Sequence, residues 1–332
     1  MSQPVLEVHD LSVVFETFEG RYSALNNIDV TINPSEVIGL VGESGCGKST
    51  LALAVMGLLP RSHAKIPSGS ITFKGKNLLS YTDKEMEQVR GTDISMIFQE
   101  PLTSLDPLFT IGDQLSETIQ IKLQRSGQSV GWNSRKVKAE VLDWMKRVGL
   151  ADPQSAMERY PHEFSGGMRQ RVMIAMALAA EPKLMLADEP TSALDVTTQV
   201  QILRLVKSLV SQVKASVLFI SHDLAVVAQI ADRVAVMYAG MIVEEASVNE
   251  IFENPLHPYT NALLASFPKE KEVKKTKLTS IPGTVPNLTR IPPGCPFHPR
   301  CSFVKDGCST TRPELRETSA GHRVACVLYD KP

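Results

Sequence analysis

No stretch of this chain is apolar for long enough to cross a bilayer. Its most apolar run, residues 172–180, falls far short of the ~20 residues that a spanning helix requires, so any role at a membrane has to pass through a partner. A leader-like start is missing as well. Residues 1–10 mix polar and apolar side chains with no basic opening before an apolar segment, so no signal peptide is expected and a cytoplasmic location is. Net charge is nearly absent: 35 lysines and arginines face 36 aspartates and glutamates, −1 overall. That balance gives no bulk electrostatic pull toward nucleic acid or acidic lipid. Cysteine is scarce along most of the chain, where Cys46 stands alone. The other four, Cys295, Cys301, Cys308 and Cys326, crowd the C-terminal part. In a reducing cytosol such a cluster suggests metal more than disulfides. There is no internal repeat.

What is present is ordinary for a globular protein: 332 residues, 43% hydrophobic and 21% charged, enough for a large core without a covalent staple. Short alternating runs over residues 5–32 read as strands with turns. Buried strands are expected at 37–41, 184–187, 217–220 and 234–237, and a further strand at 70–73. Helical spacing with charged faces over about 111–150 predicts a separate helical lobe. Apolar runs alternating with helices argue for an α/β domain with a mostly parallel sheet. Composition shifts after about residue 254. The charge-rich segment 269–277 reads as a linker. The prolines from Pro282 to Pro299 predict a segment that cannot continue a sheet or helix, in a small tail that needs a cross-link of its own.

Gly42-Glu43-Ser44-Gly45-Cys46-Gly47-Lys48-Ser49 fits G-x-x-x-x-G-K-[ST]. It lies between the strand at 37–41 and a helix expected at 48–59, stopped by Pro60. Glycines let several backbone N–H groups turn inward on phosphate oxygens, and the helix N-terminus adds positive potential. Lys48 is placed for the β- and γ-phosphates and Ser49 for Mg²⁺. Ser44, Gly45, Gly47 and Thr50 belong to the same cradle. Cys46 reads as a redox-sensing thiol or as a small filler. The filler is the plainer reading, because only exposed thiols of low pKa react readily.

The run 184–187 ends in Asp188-Glu189. Asp188 is placed to hold the Mg²⁺ shell and Glu189 to orient and polarise an attacking water. Gln99 and His222 also follow apolar runs, and strand ends on one edge of an α/β sheet are where ligands bind. Phe164-Ser165-Gly166-Gly167-Met168-Arg169-Gln170 opens a helix expected at 168–180. It is a second anion-seeking helix start in a chain with one phosphate loop, which suggests that it serves a nucleotide held by another chain.

Taken in order, the phosphate loop, Gln99, Ser165-Gly166-Gly167, Asp188-Glu189, Ser192-Ala193-Leu194-Asp195 and His222 resemble an ABC transporter nucleotide-binding domain over roughly residues 5–253. Phenylalanine at 164 replaces the family's usual leucine. The resemblance implies a P-loop ATPase core with a mostly parallel sheet, an antiparallel β subdomain and a helical subdomain at about 100–180, with a small Cys/Pro-rich extension over 254–332. It also implies roles. Phe15, with Tyr22 as the alternative, stacks on adenine. Gln99 touches Mg²⁺ and the attacking water. Ser165 and Gly167, beside Gly166, clamp the γ-phosphate of the opposite subunit's nucleotide. Asp195 shapes the dimer interface, and His222 contacts the γ-phosphate and holds Glu189.

Within that family, Gln99-Glu100-Pro101-Leu102-Thr103-Ser104-Leu105-Asp106-Pro107, the segment from His257 to Leu264, and Gly294-Cys295-Pro296-Phe297-His298-Pro299-Arg300-Cys301 resemble the dipeptide, oligopeptide and nickel importer ATPases. That resemblance implies ATP and Mg²⁺ as cofactors. As partners it implies a homologous second ATPase subunit, two membrane permease subunits and an external solute-binding protein, with the chain on the cytoplasmic face of the membrane. The four C-terminal cysteines, spaced C-x5-C-x6-C-x17-C, can hold a [4Fe–4S] cluster or tetrahedral zinc, or stay unliganded. The paired C-x2-C of zinc ribbons is missing, and the resemblance implies the cluster. His298 reads as a substitute ligand or a surface residue. Two other functions compete with import. A non-transport ABC ATPase usually shows two ATPase modules, a long coiled coil or basic patches, and none is evident here. An iron–sulfur redox sensor would show ATPase activity switched by cluster redox state.

Overall fold

Where the sequence runs apolar without alternation, both faces of the strand are covered. All residues of β3 (Val37–Val41), β7 (Leu184–Asp188) and β8 (Ser216–Ser221) are buried in the computed structural model, which describes residues 3–18, 20–99, 104–128, 130–132, 134–266 and 281–329. The charged segment 269–277 and residues 100–103 of the Gln99–Pro107 motif lie outside the described residues. The other strands, in chain order, are β1 (Leu6–Thr17), β2 (Gly20–Ile32), β4 (Ala64–Phe73), β5 (Lys76–Asn77), β6 (Ile94–Ile97), β9 (Arg233–Tyr238), β10 (Met241–Ser247), β11 (Arg316–Ser319) and β12 (His322–Val324).

The chain divides into two compact units. The first comprises Met1–Leu6, Ile32–Val37 and Ser80–Ile220. In it β6, β7 and β8 run parallel, with Ile94 opposite Leu184 and Leu184 opposite Ser216. The helical lobe expected at 111–150 is two helices, Ile111–Arg125 and Arg135–Arg147, which pack on each other and on the helix Gly166–Ala179. Each starts where a hydroxyl caps it: Thr110 Oγ1 accepts from Asp113 N at 3.2 Å and Ser134 Oγ from Val137 N at 3.2 Å. Their apolar faces, including Leu115, Ile119, Val141 and Trp144, are buried.

The second unit comprises Glu7–Thr31, Ile38–Leu79 and Ser221–Pro332. One of its sheets has the order β2-β1-β4-β5. In the other, β3 pairs in parallel with β9, and β10, β12 and β11 follow antiparallel. The β9–β10 hairpin turns on Ala239 and Gly240, at φ 46° and 78°; two successive positive φ angles suit the twist of a two-residue hairpin.

Three expectations change. The helix after the phosphate loop ends at Val55 rather than 59, because Gly57 takes φ 62° just beyond it, a common way to end a helix. The C-terminal tail is more than an appendix: past the prolines at 282–299, where no strand forms, β11 and β12 extend a sheet. β10 has no counterpart in the sequence reading, since its Glu244 and Glu245 look solvent-facing. Both are buried with partners from elsewhere. Glu244 accepts from Leu256 N (2.7 Å), His257 N (2.9 Å) and His322 Nε2 (2.8 Å), while Glu245 pairs with Arg233 and Arg323.

Candidate functional site

The phosphate-loop residues 42–49 connect β3 to the helix Lys48–Val55. Two glycines show why the motif demands them. Gly47 sits at φ 110°, and a Cβ there would stand 2.5 Å from the carbonyl of Ala24; a Cβ on Gly42 would collide with the Met237 carbonyl. Lys48 is 5% exposed, and its Nζ donates to the carbonyls of Gly42 (2.8 Å) and Glu43 (3.1 Å). The ammonium is thereby held over the curl of the loop. Ser49 and Thr50 are half-buried in the first helical turn, and Ser44 and Gly45 are exposed at the loop's crest. Cys46 is fully buried and its amide lies in the loop, with Gly240 N donating to its carbonyl at 2.8 Å. Burial pushes its thiol pKa up, which fits the filler reading and not that of a reactive sensor. Phe15 and Tyr22 are not alternatives in space: their rings stack on each other, centroids 5.4 Å apart and 15° between planes.

In the first unit, β7 delivers Asp188, 5% exposed, and Glu189 follows at φ 45°. Left-handed backbone at a non-glycine residue is held only where its surroundings insist, and such strain clusters at working sites. Here Glu189 N donates to the Ile220 carbonyl (3.0 Å), and its own carbonyl accepts from Ser192 Oγ (3.1 Å). The carboxylate meets Gln99, whose Nε2 donates to Oε2 at 3.3 Å. Two residues chosen 90 positions apart in sequence are therefore hydrogen-bonded.

Ser165 caps the helix Gly166–Ala179, its Oγ accepting from Met168 N at 3.3 Å, and is exposed together with Gly166. Gly167 lies so close to the start of the helix Val196–Val213 that a Cβ would be 2.9 Å from Thr198 Cγ2. Phe164 is buried, with Arg159 over its ring at 4.6 Å. Asp195 caps that second helix, accepting from Thr198 N (3.0 Å) and Thr198 Oγ1 (2.7 Å). These two hydrogen bonds from Thr198 hold its carboxyl below the ordinary aspartate range. The residue expected to shape an interface thus has a capping task within its own chain. In the second unit, His222 is exposed beside Asp223, which caps the following helix.

The four C-terminal thiols lie near one another. Cys301, Cys308 and Cys295 each act electrostatically on Cys326, whose thiol burial pushes up to about 11. Burial also raises the pKa of Cys295 and Cys301. Cys301 Sγ accepts from Phe303 N at 3.3 Å and Cys308 Sγ from Lys305 N at 3.5 Å. Among the described residues, no group of three or more His, Cys, Asp or Glu is arranged to hold a metal ion. His298 is half-buried and its Nδ1 lies 2.9 Å from the Cys295 carbonyl.

Sequence reasoning missed one set of residues altogether. Glu43, inside the phosphate loop, forms a bidentate ion pair with Arg300 of the cysteine-bearing tail, at 2.7 and 3.1 Å. Its amide donates to Tyr259 Oη at 2.9 Å. Nothing local in the sequence signals a pairing across 257 positions.

The comparisons with known proteins agree with this geometry. Residues 25–192 match the ABC transporter family, and residues 243–308 match the oligopeptide/dipeptide transporter C-terminal region. A probable peptide ABC transporter ATP-binding protein of Sinorhizobium fredii is 47% identical, over 97% of this chain and 94% of its own length. The dipeptide transport ATP-binding protein DppD of Bacillus subtilis is 46% identical over 99% and 96%. Among solved structures, a dimeric bacterial ABC transporter cassette superposes with a TM-score of 0.63 at 26% identity, covering 73% of this chain and 98% of the cassette. With the phosphate loop, the Gln99–Glu189 pair and the capped Ser165 helix in place, the chain belongs to the ABC transporter ATPase family.

Proposed function

We propose that this chain is the ATP-binding and hydrolysing subunit of an ABC importer for peptides or a related small solute. The observation that carries the reading is the near full-length identity to ATP-binding proteins of peptide and dipeptide transport, C-terminal region included. Residues 1–253 form the nucleotide-binding domain, with a helical subdomain at about 100–180, and 254–332 the extension. No helix among the described residues is long and apolar enough to cross a membrane. In this reading the chain attaches through two permease subunits on the cytoplasmic side. A homologous ATPase subunit completes the pair, and an external binding protein delivers solute.

In this reading Mg²⁺ supplies charge neutralisation on the β- and γ-phosphates. The loop amides from Ser44 to Thr50 and the Lys48 ammonium would cradle those phosphates, and Ser49, Gln99 and Asp188 are the residues that would hold the ion. Phe15 and Tyr22, already stacked, offer a platform to adenine. Glu189 orients the attacking water as general base, with Gln99 donating to its carboxylate, and His222 is assigned to the γ-phosphate. Ser165, Gly166 and Gly167 present a helix start to the γ-phosphate bound by the partner ATPase, and Asp195 keeps that surface in register by capping the adjacent helix.

Cys295, Cys301, Cys308 and Cys326 are the residues that would hold a [4Fe–4S] cluster, which would supply a structural cross-link in the tail. The backbone N–H donors aimed at the sulfurs of Cys301 and Cys308 support this, since such bonds stabilise thiolate ligands of iron–sulfur clusters. The spacing C-x5-C-x6-C-x17-C lacks the paired C-x2-C of zinc ribbons, which makes tetrahedral zinc the second choice.

The test is reconstitution of the chain with its companion ATPase and permeases in liposomes. Peptide-loaded binding protein is expected to stimulate ATP hydrolysis and solute uptake together. A purified assembly that hydrolyses ATP only when nucleic acid is added would overturn the transport reading. Anaerobic preparations are expected to be brown and to lose the colour in Cys301→Ser, and a colourless, iron-free wild type would remove the cluster.

A further inference from the structure

Arg300 lies between Cys295 and Cys301 in sequence, yet its side chain is only 6% exposed and ends at the phosphate loop. Both terminal nitrogens engage Glu43: Nη1 to Oε2 at 2.7 Å and Nη2 to Oε1 at 3.1 Å. Nε donates to the Pro282 carbonyl at 2.9 Å, and Nη1 also reaches Tyr238 Oη at 3.3 Å. The guanidinium sits over the rings of Tyr238 and Phe297. Those rings pack with Tyr259, whose hydroxyl takes the Glu43 amide. Glu43 is thus fixed by its carboxylate, by its N–H and, through Lys48, by its carbonyl.

We propose that Arg300 is a positioning residue for nucleotide binding, by which the cysteine-bearing tail sets the curl of the phosphate loop. The proposal rests on the reading of residues 42–49 as the ATP cradle. Glycines at 42, 45 and 47 leave that loop many conformations, and only the curled one directs its amides inward. A planar two-point clamp on the residue next to Gly42 removes part of that freedom before the phosphates arrive, so less ordering is charged to binding. Lysine cannot replace it, since a single ammonium lacks the fork that grips both carboxylate oxygens. The clamp grips the loop next to Gly42 and not a residue assigned to the hydrolytic step, so its loss is expected to fall on affinity for nucleotide more than on turnover.

The experiment measures binding of a fluorescent ATP analogue with Mg²⁺ to the full chain, and KM and kcat for ATP in the reconstituted assembly. Arg300→Ala is expected to raise Kd and KM roughly tenfold, the scale of losing a charge-assisted pair, while kcat at saturation moves far less. Arg300→Lys is expected to fall between. Glu43→Gln, which keeps the tail intact, is expected to weaken binding as well, and Arg300→Ala/Glu43→Gln together no more than Arg300→Ala alone, because both break one interaction. Wild type that binds the analogue with Glu43→Gln and Arg300→Lys binding it equally well overturns the clamp. Wild type that fails to bind it at all, with or without the companion ATPase, overturns instead the reading of the loop as an ATP cradle.

Discussion

At Glu189 the backbone holds a left-handed φ of 45° while the side chain is met by Gln99. A carboxylate at the end of a buried strand, held in a costly conformation, is suited to taking one proton from one water. Glu189→Gln keeps the shape and the Gln99 contact but removes the base, so MgATP binding is expected to persist while steady-state hydrolysis falls at least ~100-fold. Turnover near the wild-type rate in the purified variant would take Glu189 out of that role. His257 makes a second residue-scale prediction, about pH. It is fully buried, its Nδ1 accepts from Tyr259 N at 3.0 Å, and burial holds its pKa down at about 3. An unfolded histidine titrates near 6.5. As pH falls below about 6.5 the unfolded chain therefore takes up a proton that the folded chain refuses, and stability is lost progressively toward pH 3. Between pH 7.5 and 5 this site is expected to remove about 2 kcal/mol. Denaturant titrations of His257→Asn, which keeps a capping acceptor without titrating, should show a flatter pH dependence than wild type; equal slopes would refute the assignment.

At the scale of elements, β3 and the short helix Leu224–Ala228 meet with no spare volume. A Cβ on Gly39 would collide with Val227 Cγ1 and stand 3.3 Å from the Ala231 Cβ. Gly39→Ala is expected to cost about 1–3 kcal/mol as overpacking. Val227→Ala, costly alone because it leaves a cavity, should recover part of that loss when combined with it. A double-mutant cycle read from unfolding midpoints tests the pair, and strictly additive effects would show that the two elements do not contact as described. The helix starts follow the same logic of local completion: Thr110, Ser134, Ser165 and Asp195 each supply an oxygen to an amide of the first turn.

At the scale of the whole molecule, the C-terminal tail is part of the core of its unit. β12 pairs with β10, and His322, 2% exposed, meets Glu244, which is fully buried. A chain ended after residue 266 is expected to lose soluble expression or to unfold at a markedly lower temperature, since leaving one partner of a buried hydrogen bond unsatisfied typically costs ~1–3 kcal/mol, and more for a charged group. His322→Ala in the full chain should show the same loss in smaller measure. A truncated chain as soluble and as heat-stable as the full protein would show that the tail is dispensable to the fold.

What the sequence determined alone is whatever its neighbours in the chain complete: the apolar runs buried as β3, β7 and β8, the glycine loop ahead of a helix, the capped start at Ser165, and the carboxylates at the end of β7. Periodicity, turn chemistry and capping act over a few residues, so they are legible as pattern. The tertiary structure alone decided the rest. Glu244 and Glu245 can lie in a buried strand because His322, Arg233, Arg323 and two amides arrive there from elsewhere. Glu43 is a free choice of residue in the phosphate motif until Arg300, 257 positions away, closes on it. A buried charge is tolerable only with partners, and partners distant along the chain leave no local trace in the sequence.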